Sequence, residues 1–197
     1  MAEHKGLPIL AFASQDAWQQ WLAKHGAASP GIWLRFAKKT SGVASVSKAE
    51  AIESALAFGW IDGQLNPFDE QSWLVRFTPR GPRSRWSQIN VATATKLLAA
   101  KRMTPAGLAE VDKAKADGRW DGAYAPQSKA EIPDDLQAAL DADPAAKAFF
   151  ATLTGANRFA VLYRVHDAKT QKTRAARIEK FVAMLARGET LHPQKKG

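Results

Sequence analysis

The chain has no cysteine. That absence excludes disulfides, thiol catalysis and cysteine-ligated metal, and it fits a reducing compartment. Long apolar runs are missing as well. No window approaches the roughly 18 consecutive apolar residues of a membrane-spanning helix, so no membrane insertion is expected. The first residues, MAEHKGLPILAFASQ, carry no basic stretch followed by a long apolar run. They give no sign of a secretory signal, and the expected location is the cytoplasm. Histidine is scarce: the four, at positions 4, 25, 166 and 192, do not cluster and show no zinc-ligand spacing. The sequence holds no GxGxxG, P-loop, GxSxG or HExxH motif, so neither a cofactor nor a metal is expected. Ser87 and Thr78 have no partnered histidine in view, which leaves a hydrolytic triad without support. The longest absence is of acid: from Gln71 to Ala109 there is no aspartate or glutamate.

That acid-free stretch carries seven basic residues, Arg76, Arg80, Arg83, Arg85, Lys96, Lys101 and Arg102, together with Trp73 and Trp86. The formal net charge of the 197 residues is +9. It is unevenly placed: residues 1–70 give −1, residues 71–109 give +7, residues 110–157 give −4 and residues 158–197 give +7. Concentrated positive charge favours an anionic partner more than diffuse charge does. Arginine beside aromatic surface is a common way to hold phosphates, carboxylates or stacked rings.

Periodicity and capping signals divide the chain. Leu7–Phe12 reads as a strand, followed by a helix capped by Ser14 and running to Gly26, with Trp18, Trp21 and Leu22 on its apolar face. Gly31–Lys38 reads as a strand buried on both faces, because Trp33, Leu34 and Phe36 do not alternate. Ser47 and Glu50 form a capping box for a helix that stops at Gly59. Trp60–Leu65 and Ser72–Thr78 read as a hairpin. A register that puts Ile61 and Leu65 with Trp73, Val75 and Phe77 places Asp62 near Arg76. Helices are expected at Ile89–Lys101, from Thr104-Pro105 to Gly118, at Asp134–Asp141, from Asp143-Pro144 to Leu153, at Asn157–His166 and at Thr170–Arg187. The fold class is therefore α+β: a small, mainly antiparallel sheet with helices in the N-terminal half and an all-helical C-terminal half. The expected organisation is an α+β unit over 1–88 and a helical unit over 89–190, with one compact domain of both as the alternative, and a flexible tail over 191–197. Trp18, Trp21, Trp33 and Trp73 are assigned to the core.

The ligand site is expected at Trp60, Asp62, Arg76, Arg80, Arg83, Arg85, Trp86 and Asn90, holding a small anionic ligand. If the strand continues to residue 80, Arg76 and Arg80 point the same way, about 13 Å apart by strand rise. Pro79 argues instead for a strand end there. Asp62, between Gly59 and Gly63, is the best single acid for general-base chemistry, but no second carboxylate or nucleophile accompanies it, and an ion pair with Arg76 is the plainer role. No catalytic residue is assigned. A second basic block offers Arg158, Arg164, Lys169, Lys172, Arg174, Arg177 and Lys180 for nonspecific contact with nucleic-acid phosphates, against a plain solvated helix hairpin.

The segments FGWIDG (58–63), RFTPR (76–80), SRWSQIN (84–90), MTPAGLAEV (103–111) and AKTQKTRAARIEKFVAMLARGE near the C-terminus together resemble the YdeI/OmpD-associated family, also called bacteriocin-protection proteins. The resemblance implies tolerance of bacteriocins or cationic peptides and an association with an outer-membrane porin. It implies no catalytic activity, cofactor or site residue. A protein of this charge repels cationic peptides, so the protection expected from the resemblance is indirect and intracellular.

Overall fold

The computed structural model describes residues 2–194, and the chain divides into two compact units, Met1–Ala123 and Tyr124–Gly197. The fold class is α+β, with the sheet confined to the first unit.

The first unit holds a five-stranded sheet of β1 (Glu3–His4), β2 (Leu7–Leu10), β3 (Ile32–Ala37), β4 (Trp60–Pro67) and β5 (Ser72–Pro79), in the order β1-β2-β3-β5-β4. Only the β2–β3 pair is parallel. That crossover contains α1 (Gln15–His25), which begins where Ser14 Oγ accepts the Ala17 amide. α2 (Lys48–Ala57) starts at the Ser47/Glu50 capping box, in which each side chain accepts the other residue's amide. Both helices pack on one face of the sheet. Trp18, Leu22, Ile32, Leu34, Phe36, Ala51, Trp60, Val75 and Phe77 form that core. The Trp18 indole N–H donates to the Ala51 carbonyl at 3.1 Å, so this fully buried side chain satisfies its polar atom inside the core. β3 is buried on both faces except at Arg35, as its lack of alternation suggests.

The hairpin register differs from the one expected. Trp60 pairs with Pro79, Ile61 with Thr78 and Asp62 with Phe77, and a bulge between Asp62 and Leu65 then sets Leu65 against Val75. It is Trp60, not Ile61, that joins the core face. Because Asp62 lies directly opposite Phe77, alternation sends it and Arg76 to opposite faces of the sheet. No ion pair joins the two among the described residues. β5 ends at Pro79, which pairs with Trp60, and one further backbone bond, from the Arg80 amide to the Gly59 carbonyl, follows it.

α3 (Gln88–Ala99) and α4 (Pro105–Ala116) complete the first unit. They enclose a second core of Leu56, Ala57, Trp86, Ala94, Leu97, Val111 and Ala114 against the back of α2. This shared packing explains why the unit extends to Ala123 and does not stop after residue 88.

The second unit consists of α5 (Asp134–Asp141), α6 (Pro144–Ala151), α7 (Gly155–His166) and α8 (Gln171–Ala186), after a 3-10 turn at Gln127–Lys129. Leu136, Leu140, Phe150, Val161, Val165, Phe181 and Leu185 form its core. The stretch read from sequence as a flexible tail is held at its start. Leu191 packs on this core, and the buried Asn157 side chain donates to the His192 carbonyl at 3.1 Å and accepts the His192 amide at 2.9 Å. Residues 195–197 of that stretch lie outside the described residues.

Candidate functional site

The first unit contains a cleft of about 600 Å³ where the ends of several elements meet. The last turn of α1, the Phe58–Trp60 turn, the end of β5 at Pro79 and Arg80, and the first turns of α4 form its walls. Most of the lining is apolar: Leu22, Ala27, Trp60, Pro79, Pro105 and Ala109 among others. Its charged groups are Arg80, Glu110 and Lys113.

Close backbone approach builds this place. Gly59 has φ +76°, and a Cβ there would stand 3.0 Å from the Ala106 carbonyl oxygen. A Cβ on Gly107 would stand 2.3 Å from the Ala57 carbonyl oxygen. Only glycine admits that approach of α4 to the end of α2. The Ala57 carbonyl accepts both from the Thr104 amide at 3.0 Å and from the Thr104 hydroxyl at 2.8 Å. The same hydroxyl accepts the Gly107 amide and caps α4, so helix start and helix packing share one side chain.

Arg80 is 7% exposed. Its amide donates to the Gly59 carbonyl at 2.9 Å, which continues the chain direction of β5 past Pro79. Its guanidinium carbon lies 3.7 Å from the centre of the Trp86 ring, and its Nη1 donates to the Arg85 carbonyl at 3.3 Å. Trp86 in turn packs against Trp120 at 5.0 Å. Stacking on a buried indole fixes the orientation of the planar guanidinium, whose coplanar donors suit carboxylates and phosphates. The Lys113 ammonium contacts Glu110 Oε1 at 2.7 Å, one turn apart on α4.

Of the eight residues expected to share a ligand site, the cleft takes in Trp60 and Arg80. Trp86 stands behind Arg80 as its support. Arg76 is exposed on the other face of the sheet, opposite Trp33 in register. Arg83 is exposed in the Gly81–Ser84 turn, which Ser84 closes through two hydrogen bonds with Gly81. Arg85, half-buried, contributes its carbonyl to Arg80. The Asn90 amide is capped by Ser87 Oγ, and Asp62 is half-buried in β4; neither lines the cleft. Sequence reading missed Glu110, Lys113 and the first turn of α4. Their signals, a Thr-Pro helix start and an acid and a lysine three apart, are too common to single them out.

The basic residues of the second unit serve mostly within it. Arg174 makes a two-pronged contact with Asp135 and donates to the Val165 carbonyl. Arg177 donates to the Arg164 carbonyl, and Arg164 to the Ala160 carbonyl. The Arg164 and Val165 carbonyls lie in the last turn of α7, where carbonyls lack helical partners, whereas that of Ala160 lies one turn earlier. Arg158 lies over the Phe150 ring at 4.7 Å. Lys169, Lys172 and Lys180 are exposed. The Asp135 carboxyl is held below the usual aspartate value, chiefly by hydrogen bonding from Arg174. Among the described residues, no three His, Asp or Glu side chains are placed to hold a metal ion, and no helix is long and apolar enough to cross a membrane.

Two family models match the chain. One, described as a domain of unknown function (DUF8412), matches residues 10–110, just over half of the sequence and all of the cleft except Lys113. The other, described as Bacteriocin-protection, YdeI or OmpD-Associated, matches residues 129–188 within the second unit. The chain belongs to the DUF8412 family and carries the YdeI/OmpD-associated segment after it. No curated protein and no solved structure matches.

Proposed function

We propose that this member of the DUF8412 family is a non-enzymatic binding protein that holds a small anionic ligand with an apolar or aromatic body in the cleft beside Arg80. One observation carries the reading. Arg80, largely buried and with its guanidinium stacked on Trp86, is one of the residues that line a cleft whose remaining walls are mostly apolar. Low-dielectric walls strengthen a guanidinium–anion contact beyond its value in water. The first turn of α4 adds the partial positive charge of a helix N-terminus. The apolar walls give the body of the ligand a surface to leave water against.

Calorimetric titration with a series of aromatic carboxylates and aryl phosphates tests this. Arg80→Gln is expected to weaken binding about tenfold or more, on the scale of charged hydrogen bonds. Ala109→Phe, which fills the cleft from an exposed position on α4, is expected to abolish binding while leaving the far-UV spectrum unchanged. Equal affinity in the parent and both variants removes the reading. The match of residues 129–188 supports a part in bacteriocin or cationic-peptide tolerance, which we place in the cytoplasm and downstream of ligand binding. Neither nucleic-acid binding nor Asp62 as a general base is favoured by a particular arrangement of side chains.

A further inference from the structure

We infer that the ligand of this cleft is a zwitterion, a primary amine and a carboxylate on an apolar body, as in a hydrophobic amino acid or short peptide. This deepens the anion-binding reading and rests on it. The added observation is an acid that lines the same apolar cleft as Arg80. Glu110 projects from α4, and its side chain is 15% exposed. Gly59 adjoins both residues. Its carbonyl accepts the Arg80 amide at 2.9 Å, and a Cβ on it would stand 3.4 Å from Glu110 Cγ. The Arg80 backbone and the Glu110 side chain therefore meet at one glycine of the cleft wall.

The partner that Glu110 has is a replaceable one. Lys113 reaches Oε1 alone, at 2.7 Å, from a side chain that is 64% exposed. An i,i+3 pair of that exposure is weak. A ligand ammonium entering the cleft has three donors and takes the same position without the long side chain that Lys113 must immobilise. The lysine then swings to solvent. In the ligand-free protein it acts as a stand-in cation that keeps the part-buried carboxylate matched. Recognition thus divides into three parts: Arg80 for the carboxylate, Glu110 for the amine, and Trp60 with the neighbouring apolar wall for the side chain.

The test compares L-phenylalanine and L-phenylalanyl-L-phenylalanine with 3-phenylpropionate, which lacks the amine, by calorimetric titration of the full chain. At least one zwitterion is expected to bind tenfold or more tighter than 3-phenylpropionate. Glu110→Gln is expected to erase that margin while leaving 3-phenylpropionate within about twofold, and Lys113→Gln to raise the zwitterion's affinity several-fold by removing its competitor. Equal binding of acid and zwitterion, or a margin that survives Glu110→Gln, overturns the zwitterion while leaving the anion site standing. If no carboxylate binds, both readings fall.

Discussion

The two basic stretches of this chain have the same net charge and opposite uses of it. In residues 71–109 one arginine, Arg80, lies flat on an indole and lines a cleft, while Arg76 and Arg83 are left to solvent on other surfaces. In residues 158–194, Arg174 and Arg177 donate to carbonyls in the last turn of α7, Arg164 donates to the Ala160 carbonyl within that helix, and Arg174 also grips Asp135. A count of charges treats the two stretches as equals. Position separates an arginine that lines a cleft from arginines whose guanidiniums are taken up by carbonyls of α7.

The largest effect should come from removing the support of the first arrangement. Trp86→Ala deletes a buried ring from the α2–α3–α4 core and is expected to destabilise the protein by about 3–5 kcal/mol, read by chemical denaturation. A loss under about 1 kcal/mol would mean that Arg80 does not depend on that ring. Next comes the close approach that shapes the cleft. Gly107→Ala places a methyl against the Ala57 carbonyl and is expected to cost about 1–3 kcal/mol, as overpacking does, whereas Ala at the exposed 109 position is already tolerated.

In the second unit the expected changes are smaller. Replacing Lys169, Lys172 and Lys180 together by Gln tests whether its exposed charge binds nucleic acid. Any duplex affinity should be weak, and its logarithm should fall linearly with the logarithm of salt concentration, with a slope reduced by up to about three units in the triple variant. A slope unchanged by the variant would move the contacts elsewhere. The smallest effect is expected at Asp135. Its depressed folded pKa means that ionisation contributes stability above the unfolded value, a contribution lost as pH falls through the folded one. Asp135→Asn should therefore cost less than about 1 kcal/mol at neutral pH, since the pair is partly exposed to solvent. The difference from the parent should shrink as pH falls below the ordinary value of 3.8. A difference that grows in acid would show that Arg174 is held by something other than this carboxylate.

Much of the architecture is legible without coordinates, for a definite reason. Helix starts at Ser14, at Ser47 with Glu50, at Thr104-Pro105, at Asp143-Pro144 and at Thr170 all appear where the sequence signals them. A cap is a hydrogen bond between residues three apart, so the information lies within one turn. The assignment of Trp18 and Trp33 to the interior also holds, because large apolar surface has nowhere else to go. The hairpin was legible as a hairpin but not in its register. A single bulge after Asp62 changes which residues face the core, and a lone glycine, Gly63, is too weak a sign to fix its place.

The cleft belongs to the second category throughout. Its walls come from α1, the Gly59 turn, the end of β5 and α4, and its tightest contacts join Ala57 to Thr104 and Gly59 to Ala106. The sequence alone determined the helices, the strands, the burial of Trp18 and Trp33 and the place where positive charge collects, since each follows from neighbours a few positions apart. Tertiary structure decided which of those arginines reaches a cleft and that an acid would share it. Facing across a sheet and approach between helices depend on pairings some fifty residues apart, and no local preference encodes them.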